Sequence, residues 1–356
     1  MTASKSFFDS LNDLWKWLWG SEASVPPEPQ PALPDAPPPP QRPRVLLLVF
    51  NPVVEAATGK KLIEVKRWND PEKLAADYIA DVAQCSGGLV QYQIVERIEA
   101  DEIPRKADGY QYTPQQYLQV MATNVGAHAP DLVDYDAIIS RYDLLTRVTT
   151  GAIDEVWLFG APYFGFWEAA MAGKGAFFCN GGPIQRTDQC PRKFVLMGFN
   201  YERGVGEMLE DLGHRAETIL ARVFRVERFW EWAYNRNRVP AMVGERALNL
   251  YERFMCFEQI APGKANVGSL HYAPNSGVDY EWGNPTPVQS CADDWLQFPD
   301  LPNPPNYRPM TTREWGGGDI RAHHQWWLAR LPKAAGATDG IANNWWRYVI
   351  DPNTVE

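Results

Sequence analysis

The chain has 356 residues, of which 45% are hydrophobic and 22% are charged, and its formal net charge at pH 7 is -10. This composition excludes a fully disordered chain, a collagen and a coiled coil. The acidic balance argues against a nucleic-acid partner, since phosphate binding needs a basic surface. No uninterrupted apolar run approaches the roughly 20 residues that a membrane-spanning helix needs.

The N-terminal segment, residues 1–24, has apolar residues at Phe7, Leu11, Leu14 and Leu18. Spacings of three and four predict an amphipathic helix. Polar residues interrupt the apolar ones, so the segment is not a convincing signal peptide. Such a helix could contact a membrane surface or dock on a protein, and both partners stay open.

Residues 25–43 are rich in proline, which favours an extended polyproline II tether with few backbone donors. The folded part of the chain is therefore expected to begin near Arg44.

Short apolar runs alternate with helical patterns between residues 44 and 261. The runs predict strands over 44–52, 89–98, 154–162 and 192–200, and a long helix follows the last of them. Another helix is predicted after the first run, where Asn69 or Asp70 can cap the first turn and Pro71 suits its first position. Wholly apolar runs are typical of strands buried on both faces. We therefore predict an α/β fold with a doubly wound, mostly parallel sheet flanked by helices.

Residues 262–356 are rich in proline, asparagine and glycine and carry many of the aromatic residues. Aromatic side chains bury large apolar areas. We expect this part to be loop-rich but ordered, and to pack on the α/β core.

Ligands of open α/β sheets bind outside the carboxyl ends of the strands, and this rule selects candidate residues. A carboxyl group held against aromatic walls suits general acid–base catalysis. The candidate catalytic residues are Glu168, Glu202 and Glu207. The candidate substrate-binding residues are Tyr163, Trp167, Tyr201, Arg203, Asn275, Trp315 and Asp319.

The long helix after the fourth strand contains His214 and Glu217, whose i, i+3 spacing points both side chains to one side of the helix. Such a His-x-x-Glu pair with a later histidine is similar to the zinc-ligand pattern of the metallocarboxypeptidase family, although here the pair lies inside a predicted helix. His271 and His323 are the candidates for the remaining ligand. The sequence therefore predicts a divalent metal, with zinc favoured over calcium because imidazoles are present.

The five cysteines include no Cys-x-x-Cys pair. Cys179 and Cys190 flank a loop and are expected to form either a disulfide or two reduced thiols. We favour an extracellular or surface-associated location over a cytoplasmic one. No Gly-x-Ser-x-Gly elbow is present, which disfavours a serine hydrolase of that type.

Three functions fit these observations. The first is a metal-dependent hydrolase acting on a polymeric substrate, either a glycan or a peptide, with a small-molecule substrate as the other open partner. The second is a metal-free glycoside hydrolase that uses paired carboxylates. The third is a non-catalytic module that binds a carbohydrate or another ligand through its aromatic residues.

Overall fold

The computed structural model describes residues 38–226, 229 and 248–356. The predicted N-terminal helix over 1–24 and the predicted tether up to residue 37 lie outside the described residues. Within the described part of the chain, no helix is both long enough and apolar enough to cross a membrane.

The strands follow one another along the whole described chain. They are β1 (Arg44–Phe50), β2 (Val53–Glu55), β3 (Lys60–Lys61), β4 (Gln93–Ala100), β5 (Glu155–Gly160), β6 (Ala169–Ala172), β7 (Phe194–Asn200), β8 (Val288–Ser290), β9 (Arg308–Met310), β10 (Lys333–Thr338) and β11 (Ile341–Asn344).

The α-helices lie between these strands, except for the last one, which follows β11. They are α1 (Leu62–Lys66), α2 (Pro71–Cys85), α3 (Pro114–Thr123), α4 (Tyr135–Arg141), α5 (Leu144–Thr149), α6 (Val205–Val223), α7 (Leu250–Phe254), α8 (Ile320–Ala329) and α9 (Trp346–Ile350).

The central sheet has five strands in the order β4-β1-β5-β7-β6. Strands β4, β1, β5 and β7 pair in parallel, and β6 runs antiparallel to β7 at the edge. The first strand thus lies between β4 on one side and β5 on the other, which is the reversal typical of doubly wound sheets. The predicted α/β fold with a mostly parallel sheet is confirmed.

The apolar runs become the centre of this sheet. Every residue of β5 is buried, and only Arg44 of β1 is partly exposed. Strands covered by helices on both faces need such continuous apolar sequence. β4 differs, because it is an edge strand whose residues are mostly exposed, and it begins at Gln93 rather than at the predicted Leu89.

Asp154 joins the beginnings of three neighbouring strands. Its carboxylate accepts hydrogen bonds from Arg44 of β1, at 2.8 and 3.0 Å, and from Arg192 just before β7, at 2.7 Å. Asp154 itself immediately precedes β5. The Arg44 and Arg192 contacts outweigh the effect of burial and lower the pKa of this carboxyl to about 2.

Helix α6 lies in the interior and is buried along almost its whole length. It packs against β6, β7 and α2, and also against α8 and α9 from the C-terminal part. Gly206 permits the close approach of α8, since a Cβ there would lie 2.6 Å from the Ile320 Cγ2 atom. The aromatic C-terminal part is therefore ordered and packed, with Trp315, Trp327, Trp345 and Trp346 almost fully buried.

All five cysteines are buried free thiols. The alternative of two reduced thiols at Cys179 and Cys190 therefore holds in this structure, and the disulfide does not form. Burial raises the pKa of Cys179 to about 12, so this thiol is poorly suited to nucleophilic chemistry.

Candidate metal centre

Helix α6 carries an unusual number of polar side chains for a buried helix. Glu210, Asp211, His214, Arg215 and Glu217 are each at most 9% exposed. Buried polar groups are stable only with partners. Arg215 obtains its partners from Glu155 and from two carbonyl groups near the C-terminus. Glu210, His214 and Glu217 lie four and three residues apart, so they share one side of the helix.

A tight turn from the C-terminal part brings His271 against this side. The turn is closed by the Tyr272 N–H, which donates to the Ser269 carbonyl at 3.1 Å. Leu270 lies directly on α6 at Gly213, where a Cβ would be only 2.3 Å from the Leu270 Cδ1 atom. The glycine thus allows the turn to approach closely enough for His271 to contact His214.

Three donor atoms converge at this contact. The Nε2 atom of His271 lies 3.1 Å from Nε2 of His214 and 3.0 Å from Oε1 of Glu210, and the latter two atoms are 3.9 Å apart. A point about 2.0 Å from all three atoms exists within this triangle, and this is the length of a zinc–nitrogen or zinc–oxygen bond. Glu210, His214 and His271 could therefore hold a metal ion, and these three residues are called the centre below.

The far side of each imidazole faces a carboxylate. Asp279 Oδ1 lies 3.1 Å from Nδ1 of His271, and Glu217 Oε2 lies 3.6 Å from Nδ1 of His214. Metal-bound histidines commonly have such carboxylate neighbours, which orient the ring and make the coordinating nitrogen more basic. Both imidazoles thus direct Nε2 toward the common point and Nδ1 toward an acid.

The triangle has partly exposed neighbours. The Glu168 side chain is 46% exposed, its Oε2 lies 3.8 Å from Nε2 of His214, and it accepts a hydrogen bond from Asn180. Tyr280 is 49% exposed, and its ring centroid lies 4.2 Å from that of His271. A carboxylate and an aromatic ring are therefore available to a ligand that approaches the centre.

The electrostatics of the centre follow from its buried acids. Burial would lower the pKa of His271, but hydrogen bonds to Asp279 and Glu210 outweigh it and raise that pKa above its usual value. Burial would raise the pKa of Glu210, but its histidine neighbours lower it. The pKa of Asp211 lies well above its usual range because the group is buried beside other carboxylates, Glu168 foremost.

The structure brings two of the four predicted metal ligands together, His214 and His271. Glu217 lies beside them on the Nδ1 side of His214. His323 lies in α8, and its Nε2 atom is 3.0 Å from the Leu270 carbonyl oxygen. Its ring stacks on Trp282, with 4.8 Å between the centroids.

The predicted catalytic acids lie in different surroundings. Glu168 borders the centre, as described above. Glu202 is exposed in the turn between β7 and α6. Glu207 accepts a hydrogen bond from the Gly204 N–H at 3.1 Å, so its carboxylate caps the beginning of α6.

The predicted substrate-binding residues of the strand ends are also dispersed. Tyr163 and Trp167 are half-buried in the connection from β5 to β6, and Trp167 directly precedes Glu168. Tyr201 is fully buried, and its hydroxyl donates to the Phe50 carbonyl at 3.0 Å. Arg203 is exposed in the turn before α6.

The candidates from the C-terminal part stabilise local structure. Asn275 donates to the carbonyl groups of Asn284 and Thr286 at 2.8 and 2.6 Å. Trp315 is fully buried, and its indole N–H donates to the Trp282 carbonyl at 2.8 Å. Asp319 is the exposed N-cap of α8 and accepts from the Ala322 N–H at 2.7 Å.

Sequence reasoning missed Glu210, Asp279 and Tyr280. Glu210 had a usable signal, because it lies four residues before His214, a separation that places two side chains on the same side of a helix. Asp279 and Tyr280 reach the centre through an irregular loop, and no local spacing marks them.

No protein-family model, no curated protein and no solved structure matches this chain. The geometry of the centre is therefore the basis for assigning a function to this chain.

Proposed function

We propose that this protein is a metal-dependent hydrolase whose divalent ion is held by Glu210, His214 and His271. The observation that carries the proposal is the convergence of two imidazole nitrogens and one carboxylate oxygen on a single point. Catalytic zinc sites typically use three protein ligands of these types and leave a fourth position for water or substrate.

Zinc is the ion that we expect among the divalent metals. Calcium and magnesium prefer oxygen ligands, whereas two of the three donors here are imidazole nitrogens. The carboxylates behind both imidazoles support the same assignment, since such neighbours orient the rings of metal-bound histidines and make the coordinating nitrogen a stronger donor to the ion.

Glu168 is the best candidate for the general base. A metal ion bound here would supply activation of a water molecule. Glu168 would take one proton from that water, the water oxygen would bond to the electrophilic carbon, the bond from that carbon to the leaving group would break, and the leaving group would receive the proton. Glu168 lies beside His214 and is half-exposed, whereas Glu207 caps a helix and Glu202 lies in an exposed turn.

We expect a polymeric substrate, either a glycan or a peptide. The half-exposed ring of Tyr280 lies against His271, and the half-buried Trp167 directly precedes Glu168. Aromatic side chains with accessible faces can cover the apolar faces of sugar rings or the side chains of a peptide.

The test combines metal analysis with turnover. Wild-type protein purified without chelators should contain close to one equivalent of zinc or a similar ion. His214→Ala and His271→Ala should lose the metal, because each removes one donor atom. Glu168→Gln should keep the metal but lose turnover on a panel of polysaccharides and peptides. His128→Ala, which removes a histidine stacked on Tyr110, is the matched control and should change neither.

Other outcomes would support the alternatives. Wild-type protein that contains no metal, gains no stability from added zinc and cleaves polysaccharide in a chelator would be a metal-free glycosidase. Folded protein that binds a glycan but turns over no member of the panel would be a binding module.

A further inference from the structure

Glu217 is a fully buried carboxylate whose two oxygens have different neighbours. Oε2 lies 3.6 Å from Nδ1 of His214, one helical turn earlier on α6. Oε1 accepts a hydrogen bond from the Leu270 N–H at 2.8 Å. One side chain thus touches a proposed ligand on the helix and the backbone of the turn that carries the other imidazole.

The peptide units around Leu270 determine the position of His271, because His271 is the next residue. The Leu270 N–H donates a hydrogen bond to Glu217. The Leu270 carbonyl oxygen lies 3.0 Å from Nε2 of His323 in α8. The side chain of Leu270 is pressed on α6 at Gly213. The approach of His271 to the centre is therefore fixed from α6 and from α8.

We propose that Glu217 is a positioning residue that sets both imidazoles for metal binding. Its charge favours the tautomer of His214 that carries the proton on Nδ1, which leaves the Nε2 lone pair directed at the common point. Its hydrogen bond to Leu270 holds the turn so that Nε2 of His271 meets the same point. The inference rests on the proposed metal centre and assigns Glu217 no bond to the ion.

A purely structural role would not require a carboxylate here. Burying a charged acid is costly, and a glutamine of nearly equal size could still accept the Leu270 N–H. What glutamine cannot supply is a negative charge beside Nδ1 of His214. The two roles can therefore be separated by an isosteric substitution.

The experiment compares Glu217→Gln with Glu252→Gln. Glu252 is also fully buried, and its carboxylate also accepts a backbone N–H, that of Asn249 at 2.9 Å, at the beginning of α7. For both variants and wild type we would measure the zinc dissociation constant by competition with a chromophoric chelator. For the same three proteins we would also record the visible absorption spectrum after loading with cobalt and the thermal unfolding in the presence of a chelator.

We expect Glu217→Gln to bind zinc roughly 10- to 100-fold more weakly, which is the usual effect of removing a carboxylate behind a metal-bound histidine. Its cobalt spectrum should change, while its unfolding in chelator should resemble that of Glu252→Gln. Glu252→Gln should keep the wild-type affinity and spectrum. Equal zinc affinity in Glu217→Gln and wild type would overturn the proposal.

A second variant covers the case in which Glu217→Gln does not fold. Glu217→Asp keeps the charge but is too short to reach both His214 and Leu270, so it should fold and bind zinc more weakly. If it also fails to fold, or folds and binds normally, the positioning role is wrong. Wild-type protein that binds no zinc would end both this inference and the proposed function, whereas unchanged binding in the variants would end this inference alone.

Discussion

Asp154 shows how one half-buried acid can hold the beginnings of three strands together. Its carboxylate binds Arg44 and Arg192, and its folded-state pKa of about 2 lies below the ordinary value of 3.8. An acid with a lowered pKa stabilises the fold above its unfolded-state pKa, and this stabilisation is lost as the pH falls through the folded-state pKa. The contribution should therefore disappear between about pH 4 and pH 2.

We predict that Asp154→Asn lowers the free energy of unfolding by roughly 2 kcal/mol at pH 7, the order expected for this pKa shift. Urea unfolding at several pH values provides the measurement, and the difference from wild type should shrink as the pH falls below 4. The control is Asp136→Asn, which breaks the exposed pair with Arg186 and should cost under about 0.5 kcal/mol. Equal effects of both variants would contradict the prediction.

The candidate ligands show what local spacing can and cannot establish. The sequence predicted His214 and His271, because histidines are few and both lie in distinctive contexts. It selected Glu217 for its three-residue spacing from His214 and missed Glu210, although separations of three and four residues both place an acid on the same side of the helix as His214. Only the position of His271 decides between them, and that position depends on a contact between residues 57 apart.

At the scale of elements, long apolar runs were reliable and short elements were not. β1, β5, β7, α2 and α6 all appear where runs or capping residues predicted them. β6 escaped prediction because the four residues Ala169–Ala172 resemble any short apolar stretch. The burial of α6 on nearly all sides was also not predictable, since its polar residues suggest a helix with a solvent-exposed face.

We predict that Gly213→Ala weakens zinc binding at least tenfold. The new Cβ would lie 2.3 Å from Leu270, so the turn that carries His271 must move away from α6. Such overpacking costs typically 1–3 kcal/mol, and the better helix propensity of alanine offsets about 1 kcal/mol of it. The zinc dissociation constant and thermal unfolding in a chelator would report the two effects separately.

Gly206→Ala is the matched control on the same helix. Its Cβ would meet Ile320 of α8 at 2.6 Å, which is comparable overpacking away from the turn at residues 269–272. It should lower stability but keep the zinc affinity close to that of wild type. If both variants bind zinc equally well, the close approach at Gly213 does not control the position of His271.

At the scale of the whole molecule, the sequence predicted the layers but not the assembly of the centre. Alternating strands and helices predict a parallel sheet, because parallel strands need crossover connections. The meeting of α6 with a turn more than 50 residues later depends on loops, whose paths carry no periodic signal. The sequence contains all the residue types of the centre but does not reveal which of them meet in the folded chain. Only part of the centre was therefore predictable.

The structure places the beginning of the folded chain earlier than the sequence does. The sequence places it near Arg44, but Gln41 already forms a parallel bridge with Val90. The Gln41 N–H donates to Leu89 at 2.8 Å, and the carbonyls of Gln41 and Pro43 accept from Gln91 and Gln93 at 2.9 Å each. Residues 41–43 thus extend the pairing of β1 with β4 before β1 begins.

We predict that residues 38–356 unfold at nearly the same temperature as the full chain, because the proline-rich segment before them is expected to be a tether. Residues 44–356 should be less stable by roughly 1.5–4.5 kcal/mol, since three backbone hydrogen bonds are lost at about 0.5–1.5 kcal/mol each. For a domain of this size, that corresponds to a fall in melting temperature of several degrees. Calorimetry of the three proteins at one pH provides the comparison.

Equal melting temperatures for the two truncated proteins would show that the pairing of Gln41 and Pro43 adds no stability. A loss of cooperative unfolding in residues 38–356 would show that the N-terminal segment is part of the core.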